Sequence, residues 1–390
     1  MLGRYRRGKG RLAGWPWSLE STNVLETVSG GLLARSRLLD VARAKIQGAA
    51  TLTATNATEP AARIRPRCAL AGSGTATIVL PHSDPEQSEG DCMEPLADHD
   101  VPRWWQRLGL PGVVDIHTHF LPERMLRRVW AHFDEVGPLI GRPWPIVYRW
   151  DQDRRLAHLR QMGVRRFTAL TYAHRPGMAS DLTDFALDLS EAEPDCVPSA
   201  TFFPEDGVLD QVRSALERGA RVFKVHAQVG GFDLREYRLD EVWGLLADAA
   251  VPVVLHVGSG PVPRAGFTGP DKLEGVLRRH PHLTAVVAHL GAPEYAEFLT
   301  LAEQYPRVHL DTTMVFTDFF EEGAPFPADL LPRLAALPDR VVLGSDFPNI
   351  PYPYAHQLEA LERLFDREPR LDDDWLRAVC WFNGQRLIGD

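Results

Sequence analysis

From Trp104 onward the chain alternates, eight times over, between a short apolar run with strand character and an amphipathic helical stretch. The runs begin near Val113, Val164, Cys196, Arg221, Val251, Leu283, Arg307 and Arg340. Helical patterns follow over Glu123–Phe133, Arg154–Gln161, Asp181–Glu193, Val208–Arg218, Asp240–Ala250, Asp271–His280, Glu294–Gln304, Ala328–Leu337 and Tyr354–Phe365. Strand and helix in repeated alternation predict a parallel sheet, because parallel neighbours must be joined by a crossover. Eight such units in about 280 residues have the count and size of a TIM (β/α)8 barrel. A doubly wound sheet shares the local pattern, but its glycine-rich phosphate fingerprint is absent after every run. The expected class is therefore α/β, a TIM barrel closed by a last helix over Asp372–Phe382.

The first hundred residues lack this alternation. Arg4, Arg6, Arg7, Lys9 and Arg11 crowd the start, Thr51 to Thr58 is a Thr- and Ala-rich run, and Ser83 to Asp91 is polar. Only Gly31 to Ala50 has passable helical periodicity. We therefore expect residues 1–105 to be a largely disordered N-terminal extension and residues 106–390 to be the barrel. Arg-rich, acid-poor starts occur in organellar transit peptides; the plainer reading is an over-extended start, with the working chain beginning near Val101.

Charge and composition narrow the partners. Up to Arg67 there are 12 Lys and Arg against 4 Asp and Glu, a local +8, so the net charge of −9 leaves −17 on the remainder. An acidic body of this kind is a poor nucleic-acid binder. No apolar run approaches the ~20 residues that cross a bilayer, so neither nucleic acid nor membrane is an expected partner. Cys68, Cys92, Cys196 and Cys380 form no C-x-x-C pair, which points to a reducing compartment and a cytoplasmic location. The sequon at Asn56 bears on the protein only if it is secreted, and no clear signal peptide is present.

The chemistry is concentrated where the apolar runs end. The first run, Val113-Val114-Asp115-Ile116, breaks into His117-Thr118-His119. Side chains two apart on a strand share a face, so the two imidazoles project together and make half of a metal site. With 14 histidines in the chain, chance alone gives roughly half an H-x-H per chain, so the pair needs support. His280-Pro281-His282 is such a chance copy; it precedes the sixth run, at the wrong end of the barrel, and reads as a solvated turn. His117 and His119 have support from four other strand ends: Lys224-Val225-His226, His256, His289 and Gly344-Ser345-Asp346-Phe347-Pro348. Catalytic residues of TIM barrels come from these C-terminal strand ends.

These residues resemble those of the amidohydrolase superfamily, in particular the amidohydrolase-related group that includes aminocarboxymuconate-semialdehyde decarboxylase. The resemblance runs from about Val113 to Gly389 and takes in the closing Trp381-Phe382-Asn383-Gly384-Gln385-Arg386-Leu387. It implies one divalent metal ion, zinc in most relatives with Mn2+ or Fe2+ also suited to such ligands, held by His117, His119, His256 and Asp346. His289 would then face the water or the substrate, and His289 and Asp346 would manage protons. A bound divalent ion brings water towards a pKa of ~7 and so supplies hydroxide at neutral pH. Other superfamily members hold two metals bridged by a modified lysine on the fourth strand, where Lys224 lies.

The substrate is less legible. His174 and Arg175 after the second run, Arg264 after the fifth, and Lys224 with His226 are candidate substrate-binding residues, suited to a carboxylate-bearing small molecule. Phe316, Phe319, Phe320 and the insert from Gly141 to Trp150 supply aromatic rings for a rim. The expected function is metal-dependent hydrolysis of a small carbonyl substrate, an amide, lactone or ester. The alternative is a metal-dependent non-oxidative decarboxylase of an aromatic-derived or muconate-type acid. A non-catalytic binding protein would have lost ligands, and every ligand position is filled. A homodimer is the candidate assembly.

Overall fold

In the computed structural model, residues 96–135, 137, 141–260 and 266–389 are described, all within the unit Ser88–Asp390. The extension expected before residue 96 lies outside the described residues. Eight strands run parallel and pair in sequence order. They are β1 (Val113–Asp115), β2 (Val164–Thr168), β3 (Cys196–Val197 and Ser199–Thr201), β4 (Val222–His226), β5 (Val253–His256), β6 (Ala285–Val287), β7 (Val308–Asp311) and β8 (Val341–Val342). Pro198 interrupts β3 because it has no N–H to give the ladder, yet its carbonyl still accepts from Arg221 N at 2.8 Å. The ring closes between first and last strands: Ile116 N donates to Leu343 O at 3.1 Å, Asp346 N to His117 O at 2.9 Å, and His119 N to Phe347 O at 2.7 Å. The TIM barrel read from the alternation is the fold observed.

The barrel is filled from the strands' apolar positions. Val114, Val197, Val222, Val254, Val286 and Val342 form one buried cluster. Six β-branched side chains suit both the strand backbone and a tapering interior. Ile388 packs into the same cluster from the terminal helix Asn383–Ile388. That helix is tied down by Asn383, whose Nδ2 donates to Pro338 O and Val341 O, both at 2.7 Å. The closing motif of the sequence is thus a clamp across the start of β8.

The outer helices begin and end where local chemistry says they should. Helix Gln152–Met162 starts at Asp151, whose carboxylate accepts from Arg154 N at 2.8 Å, and stops at Gly163 with φ +80°. The expected closing helix is Asp373–Arg377, running on through a π turn, Ala378–Phe382. Among the described residues no helix is long and apolar enough to cross a membrane. Cys196 and Cys380 are buried and unpaired.

Helix Val101–Arg107 runs across the expected 105/106 boundary and buries Trp104 and Trp105. Trp105 Nε1 donates to Met162 O at 3.0 Å, and a Cβ added at Gly163 would lie 2.5 Å from that ring nitrogen. Just before it, Asp98 accepts from His158 Nε2 at 2.8 Å, from Tyr148 OH at 2.5 Å and from Ala355 N at 2.9 Å. The helix is too short for periodicity to show in a sequence window.

Burial alone would raise the Asp98 pKa, but the hydrogen bonds from His158, Tyr148 and Ala355 hold it below the usual carboxylate value. A lowered carboxylate stabilises the fold above its unfolded pKa of about 4, and that stabilisation is lost as pH falls through the folded value. Asp98→Asn should therefore cost roughly 1–3 kcal/mol at neutral pH. In denaturant melts between pH 7 and pH 3 the gap to wild type should narrow as pH falls; a constant gap contradicts the assignment.

Candidate active site

Parallel strands place their C-terminal ends on one rim, and five of them deliver there the titratable side chains expected from the sequence. His117 and His119 follow β1, Lys224 and His226 end β4, and His256 ends β5. His289 follows β6 and Asp346 follows β8. His117, Lys224, His226 and His289 are all buried. The backbone is strained at this rim. Among the described residues six non-glycine residues have φ near +50 to +75°, and His289, Leu290, Met314, Phe316 and Asp346 are five of them. Such conformations cost of the order of 1 kcal/mol each and cluster at functional sites.

The histidines divide by tautomer. His117 Nδ1 donates to Asp311 Oδ2 at 2.8 Å, His119 Nδ1 to Leu170 O at 2.8 Å, and His289 Nδ1 to Thr313 O at 3.0 Å. Each partner can only accept, so each ring carries its proton on Nδ1 and presents a bare Nε2. Those Nε2 atoms face Asp346: His117 and His119 lie 3.2 and 3.0 Å from its Oδ1, and His289 lies 3.9 Å from its Oδ2. His226 is arranged the other way. Its Nδ1 accepts from Val229 N at 3.2 Å, which leaves Nε2–H as a donor. It stacks on His256 at 3.8 Å between ring centres, 11° from parallel. His256 Nε2 donates to Gly260 O at 3.3 Å and keeps a bare Nδ1.

Lone pairs facing a carboxylate at 3.0–3.2 Å repel unless a cation lies among them. The donor atoms of His117, His289 and Asp346 all lie within 4.8 Å of one another, so this group is suited to a metal ion. Imidazole nitrogen and carboxylate oxygen are zinc-type donors, and Nδ1 hydrogen bonds to protein acceptors are how such ligands are oriented. His119 is hydrogen-bond close to the same carboxylate. His256 lies beside the group, its ring 4.8 Å from that of His289, and its bare nitrogen is Nδ1.

Electrostatics follow burial. The Asp346 carboxyl would be raised by burial, but the imidazoles around it, His117 foremost, hold it well below the usual range. Burial, then the nearby Lys224 charge, brings His117 down to about 4, and burial takes His226 and His256 well below the ordinary imidazole value. All three imidazoles are therefore neutral at physiological pH. Lys224, pushed down to about 8 by burial, places Nζ 3.0 Å from His117 Nε2.

Two carboxylates at the rim were not singled out in the sequence. Asp311, fully buried at the end of β7, accepts from His117 Nδ1, His289 N and Thr313 N. Its signal is the same as that of Asp346, an apolar run ending in an acid. Asp115 accepts from His117 N, Ser345 Oγ and Tyr354 OH, and burial pushes its pKa up to about 6. Asp115 hid inside an apolar strand, where alternation alone gives it no role.

The expected substrate residues scatter. Tyr172 stands at the site, its ring 6.0 Å from that of His119 and 5.0 Å from that of His226. His174 and Arg175 follow in the same loop and are half-buried; burial, then Arg175, lowers the His174 pKa. Arg264 lies outside the described residues. Phe320 stacks parallel to His289 at 6.0 Å, and Phe319 packs on Trp144 at 4.9 Å with Arg142 4.0 Å above its ring. The aromatic insert therefore does meet the β7 loop at the rim. Phe316 does not; it is buried against Phe326. His280 bonds Asp240 at 3.0 Å, away from the rim, as a structural pair.

A parallel barrel with three Nδ1-anchored imidazoles around one aspartate defines a TIM-barrel protein with a candidate metal site. Residues 114–389 match the amidohydrolase family model, and the chain belongs to this family. No curated protein matches the sequence. Among solved structures it is similar to an uncharacterized TIM-barrel protein from Bordetella bronchiseptica, at 19% identity and a TM-score of 0.57, covering 71% of this chain and 98% of that one. It is also similar to an amidohydrolase from Burkholderia multivorans with bound zinc, at 18% identity and a TM-score of 0.50, covering 71% and 99%.

Asp346→Asn keeps the shape but removes the charge on which the three rings converge. Metal content by elemental analysis should fall from about one ion per chain to below about a tenth of that, with the fold retained by circular dichroism. Undiminished metal in the variant contradicts the site.

Proposed function

We propose that the protein is a metal-dependent hydrolase of a small carbonyl compound, an amide, lactone or ester, in the site around Asp346. The observation that carries the reading is the convergence of bare Nε2 atoms of His117, His119 and His289 on one ionised carboxylate. In this reading His117, His119, His256 and Asp346 hold a divalent ion, with zinc the best match to the donors. When bound there, such an ion polarises a carbonyl and acidifies water.

The chain's own residues do the rest. Asp346 Oδ1 faces His117 and His119, and Oδ2, turned towards His289, is the oxygen placed to take a proton from attacking water. His289 Nε2 lies 3.9 Å from Oδ2, a gap that one proton relay through the reacting group closes. His289 then passes that proton to the leaving group, its ring held by Thr313 O. His226, with its proton fixed on Nε2, donates to the carbonyl oxygen as negative charge develops. Lys224 adds a buried cation to the same side. Tyr172, Phe320 and the rim built by Trp144 and Phe319 give the substrate apolar walls and keep bulk water out. A carboxylate-bearing substrate fits the loop that carries the Arg175 cation beside His174.

Turnover of a lactone and amide panel by metal-loaded protein tests the reaction, with 2,3- and 2,6-dihydroxybenzoate run alongside. Ring opening with net addition of water is expected; release of CO2 without water addition contradicts hydrolysis and selects the decarboxylase. His256→Ala should lose the metal. His289→Ala should keep it and lose roughly 100-fold or more in kcat, the usual scale of an acid–base group.

A further inference from the structure

Asp311 is a fully buried carboxylate at the rim that enters no step above. Its two oxygens face different groups. Oδ1 accepts from His289 N at 2.9 Å and Thr313 N at 3.1 Å, and Oδ2 accepts from His117 Nδ1 at 2.8 Å. The first pair holds the backbone where His289 and Leu290 are both left-handed, at φ +54° and +52°. The last fixes the proton of His117. Lys224 Nζ reads the opposite nitrogen of that ring at 3.0 Å, so His117 sits between an acceptor on Nδ1 and a donor on Nε2. The cluster has no slack: a Cβ on Gly344 would lie 2.8 Å from His117 Cβ and 3.4 Å from Asp311 Cγ.

We propose that Asp311 is a positioning residue that sets the His117 tautomer and the His289 backbone with one carboxylate, and thereby reserves His117 Nε2 for a metal ion rather than a proton. The inference rests on the metal-centre reading above and names how the chain enforces it. A carboxylate has only acceptors, so His117 must point N–H towards it, and its charge strengthens the remote Nε2 as a ligand. An amide of the same shape cannot do this. In Asp311→Asn the two backbone N–H groups of His289 and Thr313 require the amide oxygen on their side, so the NH2 faces His117. A donor there makes Nδ1 an acceptor and moves the proton to Nε2, where it blocks the metal. Exchanging an orienting carboxylate for its amide gives a wrong tautomer with intact geometry in other enzymes.

The test uses full-length protein labelled with 15N in histidine, stripped of metal, with His117→Gln assigning the His117 signals. Wild type should show His117 protonated on Nδ1 and bare on Nε2. Asp311→Asn should show the reverse, while His289 stays protonated on Nδ1 because its backbone clamp survives. Zinc affinity by chelator competition should fall about 10- to 100-fold in the variant, the range for a lost orienting partner. An unchanged His117 tautomer in Asp311→Asn, or equal zinc affinity, overturns the proposal. If the variant does not fold, the wild-type spectrum decides alone, since a proton on His117 Nε2 contradicts the assignment. Wild type that takes up no zinc contradicts the metal-centre reading, and the nitrogen spectra then judge the Asp311 assignment by themselves.

Discussion

The hydrogen bond from Asp346 N to His117 O, 2.9 Å long, both closes the barrel and assembles its site. It joins the residues after the first and last strands, which are more than two hundred positions apart in sequence. Without that closure His117, His119 and Asp346 are three side chains on separate edges of an open sheet. With it, Asp346 Oδ1 stands 3.0–3.2 Å from both imidazoles. The site is thus a consequence of ring closure, and its stability is that of the β1–β8 seam. Asp115 stitches the same seam from within, joining the backbone of His117 to Ser345 and Tyr354 of the last unit.

Around this seam the molecule carries a cost in electrostatics and backbone strain. Bare nitrogens and an ionised carboxylate are packed together, and two of the residues that carry them, His289 and Asp346, have positive φ. Isolated, each is unfavourable. A cation among the acceptors relieves this, and Lys224 Nζ already stands 3.0 Å from His117 Nε2. Every imidazole that faces Asp346 has its other nitrogen tied to an acceptor on a different strand or loop, so the arrangement is fixed before a ligand arrives. His226 presents the complementary polarity, an N–H where its neighbours present lone pairs. Acceptors and a donor are sorted within one site by which group each ring meets.

Much of this was legible in the sequence. The eight strands begin within about two residues of where alternation puts them, because strict repetition of strand and helix leaves little freedom of topology. The ligand-type residues at 117, 119, 226, 256, 289 and 346 were visible as polar interruptions at the ends of apolar runs. What stayed hidden depends on contacts between distant residues. Asp311 and Asp115 differ from ordinary strand residues only in what they meet across the barrel. Asp98 and the short helix with Trp104 and Trp105 looked like the tail before them, since their partners, Tyr148, His158 and Met162, come later in the chain. The roles of the loop arginines are set by loop conformation, which local sequence does not encode.

X-ray absorption at the zinc edge of the zinc-loaded full-length protein tests the central claim most directly. The expected spectrum has about four nitrogen and oxygen neighbours at about 2.0–2.1 Å, with outer-shell scattering from at least two imidazole rings. A sulfur shell, or water-like oxygens without imidazole scattering, would show that the ion is not held by these histidines and Asp346.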